Sequence, residues 1–259
     1  MRVLVTGGTG LVGSAIREVC AAELPGAHFV FLGSADADLL DRASTLAVFA
    51  AHRPTHVIHA AARVGGLYLN LRAPVELGRE NMLMGDNVME ACRAHGCRLL
   101  SFLSTCIFPD VTAYPIDEGM LHAGPPHASN APYAHAKRWL DTMTRAYRAE
   151  YGCGFTTVIP TNIYGPRDNF PIYDGHVIPA LVHRAHAARA ARAPLVVAGS
   201  GAPLRQFIFA RDLARLTLLA LRAYDSAYDG VHEHVDNGGT LPEDARGWFG
   251  AGGPEGQAA

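Results

Sequence analysis

The stretch from Val3 to Gly13, Val3-Leu4-Val5-Thr6-Gly7-Gly8-Thr9-Gly10-Leu11-Val12-Gly13, restricts the fold more than any other part of the chain. A short apolar run passes directly into a glycine-rich turn, and a helical pattern opens immediately after it. Glycines at 7, 10 and 13 let the backbone turn tightly, approach a pyrophosphate and pack the helix on the sheet, with phosphates at the positive helix end. A glycine triplet alone is weak, and an ordinary Gly-rich turn is the plain alternative. The strand before it and the helix after it supply the context that points to a dinucleotide. The spacing is G-x-x-G-x-x-G rather than G-x-G-x-x-G.

The rest of the chain agrees with that opening. Runs rich in Val, Ile, Leu and Phe at 2–6, 28–33, 55–61, 98–105 and 156–161 alternate with helical patterns at 12–23, 42–52, 75–95 and 132–151. This alternation predicts a parallel sheet with crossover helices. The strands are nearly continuous apolar runs, as expected when both sheet faces are covered. The fold class is therefore α/β, a doubly wound parallel sheet of the Rossmann kind, with a smaller substrate-side region. We expect a dinucleotide-binding domain over 1–165 and a substrate-binding region over 166–230, which the family resemblance given below implies is incomplete. The latter holds a helix near 176–191, a short strand in PLVVAG and a helix over 212–224. The Gly- and Pro-rich segment 231–259 is expected to be a poorly ordered tail.

Composition excludes several classes. Net charge is −2 over 259 residues, which leaves no concentrated basic face for nucleic acid or an anionic membrane. No apolar run reaches transmembrane length. The amino terminus lacks the features of a secretory signal, and a cytoplasmic protein is expected. Five cysteines without CxxC pairing argue against a disulfide framework or a zinc site.

A second motif carries chemistry. Tyr133 and Lys137 lie four apart on a predicted helix, so the ammonium can sit near the phenol. A nearby positive charge favours phenolate and would let Tyr133 exchange a proton close to neutral pH. By itself the pair could equally be a surface tyrosine and a solvated lysine. With the glycine motif and Ser104 at the end of the fourth strand, it resembles the Ser, Tyr and Lys triad of the extended short-chain dehydrogenase/reductases. Ser104 would hydrogen-bond a reacting carbonyl.

Two residues after Ser104 stands Cys106, in LSTCIFP. A buried cysteine usually does no more than a small apolar residue would, and residue type alone favours that reading. The thirteen histidines make any single one ambiguous. His176, His183 and His186 lie loosely on one helix face, but no carboxylate or cysteine has matching spacing, so no metal is expected.

The segments VTGGTGLVGSAI, PTHVIHAAARVGGL, LSTCIFPD, YPIDE, GPPHASNAPYAHAKR, PTNIYGPRDNF, GHVIPALVHRAH and PLRQFIFARDLA run in order from residue 2 to about 224. Together they resemble the GDP-L-fucose synthase family. The resemblance implies a homodimeric, NADPH-dependent enzyme that epimerises a GDP-linked keto sugar at C3 and C5 and then reduces its C4 ketone. An epimerase needs an acid and a base beside the carbonyl, and Cys106 and His176 match the family's catalytic thiol and partner histidine. The resemblance assigns the coenzyme to the glycine loop, residues 7–13 (Gly7, Gly8, Thr9, Gly10, Leu11, Val12 and Gly13), to Asp38 on the adenine side, and to Pro160, Thr161, Asn162 and Ile163 beside the nicotinamide. Lys137 would also reach the nicotinamide ribose, and His176 lies on the coenzyme side as well. Arg184 and Arg205 match basic substrate-binding positions, where arginine suits a diphosphate. After the second strand the chain reads Gly33-Ser34-Ala35-Asp36, with no acidic residue immediately at the strand end, which favours NADP over NAD.

Two departures from the family follow. Ala198 stands where the family has a tryptophan, and after Gly230 the Gly- and Pro-rich tail replaces further substrate-domain structure. The apolar helix over 212–224 is therefore expected to be left with an exposed face, and the chain to be a poor or inactive enzyme. The alternatives are an impaired homologue that still binds coenzyme or dimerises, and an extended reductase acting on another nucleotide sugar.

Overall fold

The computed structural model describes residues 1–172, 175–197, 199–202 and 204–223. Five parallel strands form the centre: β1 (Arg2–Thr6), β2 (His28–Leu32), β3 (His56–His59), β4 (Arg98–Phe102) and β5 (Phe155–Val158), in the order β2-β1-β3-β4-β5. The order reverses at β1, so the crevice for a ligand opens beyond the carboxyl ends of β1 and β3. Around the sheet lie α1 (Leu11–Glu23), α2 (Arg42–His52), α3 (Leu67–Arg72), α4 (Pro74–His95) and α5 (Ala131–Tyr151). The expected strands and helices of this half are all present, with boundaries shifted by a few residues. The fourth strand ends at Phe102, so Ser104 caps a short 3-10 turn over Thr105–Ile107 instead of closing the strand.

Alternate strand residues face opposite layers, which makes two cores. Leu4, Val57 and Leu99 pack with Phe49, Val88, Met89 and Leu140 beneath α2, α4 and α5. Val3, Val5, Ile58 and Leu100 pack with Ile16 and Val19 on the other face. Both α4 and α5 end at a left-handed glycine, Gly96 and Gly152, whose freedom at positive φ closes the last turn before the chain enters a strand. At Gly85 a Cβ would already touch Leu140 at 3.1 Å, so the bare position lets α5 lie close on α4.

Beyond β5 the chain forms β6 (Asn162–Tyr164), α6 (Val177–Ala191), β7 (Phe207–Phe209) and α7 (Ala210–Ala223). β6 and β7 pair in parallel as a separate two-stranded sheet. The strand expected in PLVVAG does not form over its described residues 194–197. Its β-branched side chains stand exposed, with no strand among the described residues paired to them. The largest correction concerns α7. Leu213, Ala214, Leu218 and Leu221 are buried against Val3, Val5, Ile16 and Val19, and the ion pairs Arg211–Glu18 at 2.6 Å and Arg215–Glu23 at 3.2 Å border the contact with α1. The apolar face expected to be exposed is a wall of the second core. Ala198 and the tail over 231–259 lie outside the described residues.

Candidate active site

The glycine loop is shaped by two close approaches. Gly7 has φ of 69°, and a Cβ there would sit 2.7 Å from the Ala61 nitrogen and 2.8 Å from the Ala60 carbonyl carbon, so only glycine joins β1 to the segment after β3. At Gly13 a Cβ would collide with the Gly7 carbonyl oxygen and the Gly8 Cα, so helix α1 can lie on the loop only with hydrogen in that place. Gly10 differs. Its nearest neighbour in the direction of a Cβ is the Gly7 oxygen at 3.4 Å, and no side chain caps α1. The first N–H groups of α1 therefore face an open surface bearing the positive end of a helix dipole, and the bare glycine leaves room for a pyrophosphate against them.

That surface is the floor of a cleft of about 810 Å³. One end is lined by Gly33, Ser34 and Asp38, the middle by Gly7, Thr9, Gly10, Leu11 and Val12, and the far end by Ser104, Tyr133, Lys137, residues 160–163 and His176. Gly8 and Gly13 lie inside the turn and shape it from behind. Asp38 accepts the Leu40 N–H at 2.9 Å, and Asp36 accepts that of Gly33 at 2.7 Å, so both carboxylates brace the loop after β2. Behind the floor, Thr6 Oγ1 lies 2.8 Å from His59 Nδ1 and 3.3 Å from the Ala61 nitrogen, whose N–H it accepts. Burial draws His59 down to about 3, with Lys137 adding to the effect, so the ring is neutral and locks the glycine loop to the end of β3.

The far end brings Ser104, Tyr133 and Lys137 together. Ser104 Oγ accepts the Cys106 N–H at 3.4 Å and lies against both Cys106 and Tyr133. Lys137 donates its Nζ–H to the Phe102 carbonyl at 3.0 Å and sits 5.9 Å from the centre of the Tyr133 ring. Burial draws the Lys137 ammonium down to about 8. Burial pushes the Tyr133 phenol well above the ordinary value, Cys106 pushes it further, and the Ser104 hydrogen bond recovers only part. The helical spacing puts Lys137 near the ring, and desolvation is the largest influence on the hydroxyl. Tyr133 is thus a neutral phenol, equipped to donate a proton.

Cys106 lies beside Ser104, just behind the cleft wall. Burial raises its thiol, while the Ser104 hydrogen bond and then the charges of Lys137 and Arg138 pull it back. Arg138, one residue past Lys137, carries no motif that marks it in the sequence. It is buried, donates from Nε to the Ile107 carbonyl at 2.6 Å, and leaves Nη2 without a partner among the described residues. A guanidinium is therefore fixed next to the thiol.

The two arginines assigned to substrate are not among the residues that line the cleft. Arg184 donates to the Ile172 carbonyl at 3.4 Å, and Arg205 is exposed with Nη1 on the Leu204 carbonyl at 2.7 Å. No helix of the described residues is long and apolar enough to cross a membrane.

The chain is similar to known proteins in sequence and fold. The sequence pattern of the NAD dependent epimerase/dehydratase family matches residues 3–234. The GDP-L-fucose synthase of Dictyostelium discoideum is 52% identical over 225 residues, covering 86% of this chain and 70% of the relative. A probable GDP-L-fucose synthase of Drosophila melanogaster is 48% identical, covering 87% and 73%. Among solved structures, a GDP-L-fucose synthetase from Naegleria fowleri bound to NADP superposes with a TM-score of 0.80 at 46% identity, covering 85% of this chain and 72% of that one. The chain belongs to the NAD dependent epimerase/dehydratase family, in the group that holds the GDP-L-fucose synthases.

Proposed function

We propose that the protein converts GDP-4-keto-6-deoxy-D-mannose to GDP-L-fucose by 3,5-epimerisation followed by NADPH-dependent 4-reduction. The observation that carries this reading is a thiol, Cys106, held against the Ser104 and Tyr133 pair at the cleft end that His176 also lines. A plain reductase has no use for such a thiol. NADPH supplies the hydride; the open end of α1 would hold its pyrophosphate, Asp38 the adenosine side, and Lys137 with residues 160–163 the nicotinamide side.

The residues divide the work as follows. Ser104 and Tyr133 donate hydrogen bonds to the C4 carbonyl oxygen, which acidifies the protons at C3 and C5 by stabilising the enolate. Cys106 and His176 share the removal of those protons and their return on the opposite face, with Arg138 and Lys137 offsetting the charge when the thiol is ionised. In the reduction Tyr133 gives its phenolic proton to the C4 oxygen, and the Lys137 charge stabilises the phenolate left behind. Residues 1–165 together with α7 would act as the coenzyme half, and residues 166–209 as the substrate side, where Arg184 and Arg205 would meet the GDP diphosphate. A homodimer formed through α4 and α5, working in the cytosol, completes the reading.

The test is direct. Purified protein with GDP-4-keto-6-deoxy-D-mannose should consume NADPH, read at its absorbance, and yield GDP-L-fucose. Absence of consumption at any substrate concentration would exclude the reading.

A further inference from the structure

We propose that Asp168 is a positioning residue for His176, its carboxylate accepting the imidazole N–H and so fixing which ring nitrogen faces the sugar. The inference rests on the proton-transfer role given to His176 above. It comes from the loop between β6 and α6. At Gly175 a Cβ would sit 2.5 Å from the Asn169 carbonyl oxygen and 2.7 Å from that of Pro171, and the Gly175 N–H donates to Pro171 at 2.9 Å. The loop thus folds back until the backbones at 169 and 175 touch. The residues just outside that contact, Asp168 and His176, both line the cleft.

Helix α6 fastens the arrangement from beneath. His183 Nδ1 lies 2.8 Å from the Phe170 carbonyl oxygen, and Arg184 donates to the Ile172 carbonyl, so the loop is tied at two points to the helix that His176 itself caps. Within the loop, one oxygen of Asp168 accepts the Asn169 N–H at 2.7 Å. The other, Oδ2, is buried with no hydrogen-bond partner among the described residues. A buried carboxylate oxygen without a donor costs free energy until it finds one. Burial raises this carboxyl, and the Asn169 N–H and then His176 draw it back, so the two side chains already feel each other. An imidazole offers an N–H on one nitrogen and a lone pair on the other, and a carboxylate on the first leaves the second free for the substrate.

The experiment follows solvent deuterium entering C3 and C5 in four proteins: wild type, Asp168→Asn, His176→Gln and the double variant, with NADPH affinity measured in each. Asp168→Asn should lower kcat for exchange on the order of tenfold to a hundredfold while KM and NADPH affinity stay within about twofold. In the His176→Gln background the same change should cost nothing further, because a residue acting through His176 has no effect without it. Asp168→Glu should recover part of the rate. Additive losses in the double variant, a rise in KM alone, or loss of NADPH binding by Asp168→Asn would each overturn the proposal, the last by making Asp168 a support of the loop. If wild type exchanges neither proton, the role of His176 falls and the proposal with it.

Discussion

Replacing Lys137 by methionine should abolish turnover and yet leave the protein at least as stable at neutral pH. Lys137 is 4% exposed, and among the described residues its ammonium donates to the Phe102 carbonyl at 3.0 Å. Burial takes its pKa from 10.5 to about 8. That span corresponds to about 3 kcal/mol spent on keeping the charge in the folded state at pH 7. Methionine of similar length removes this cost and forfeits about 1 to 2 kcal/mol of charged hydrogen bond. The variant should therefore gain about 1 to 2 kcal/mol at pH 7, or a few degrees in Tm. The sign reverses with pH. Between about 8 and 10.5 the unfolded chain keeps a proton that the folded chain has released, so wild-type stability rises with pH in that window and the methionine variant loses its lead. Urea unfolding of both proteins at pH 7 and near pH 10 measures the gap. A variant several kcal/mol weaker at pH 7, with a gap that does not change with pH, would refute the reasoning.

Tyr133→Phe should slow C4 reduction on the order of a hundredfold to ten-thousandfold while NADPH affinity holds, since it removes a proton donor and little contact area; single-turnover NADPH oxidation reads this. Leu218→Ala should cost about 2 to 5 kcal/mol in urea unfolding and lower the melting of the whole coenzyme half, because Leu218 is 1% exposed in the core shared with Val5 and Ile58. An unchanged transition would mean that α7 is not part of that half. His59 is held neutral in the fold down to about 3, so the unfolded chain takes up a proton that the folded chain refuses as pH falls below about 6.5, and stability drops by up to about 1.4 kcal/mol per pH unit. His59→Gln should flatten that acid slope in urea unfolding measured from neutral pH to about pH 4.

What could be read from the sequence follows from the range of the interactions involved. The glycine loop and the Tyr133/Lys137 pair are local: their spacing, on a strand-turn-helix and on one helix face, is the geometry itself. The three-residue strands β6 and β7 are too short for an alternating pattern to register, and they exist only through pairing across a long separation. Helix α7 follows the substrate side in the chain, which suggested a place there, but its apolar face returns to α1. The run Leu195-Val196-Val197 has strand-forming residues and no strand beside it among the described residues, and propensity without a partner does not make a sheet. Burial was the other quantity hidden from the sequence. It pushes the Tyr133 phenol up and the Lys137 ammonium down, and it leaves buried polar atoms of Arg138 and Asp168 without a partner among the described residues, which their spacing does not announce.

The central claim is that one cleft performs both proton exchange and reduction. It is tested most directly by turning over GDP-4-keto-6-deoxy-D-mannose with NADPH in deuterium oxide and locating the label in the product by NMR and mass spectrometry. The expected product is GDP-L-fucose carrying solvent deuterium at both C3 and C5, with one NADPH consumed per sugar. A reduced sugar with protium at both carbons would make the protein a plain ketone reductase and return Cys106 to the role of a buried apolar residue.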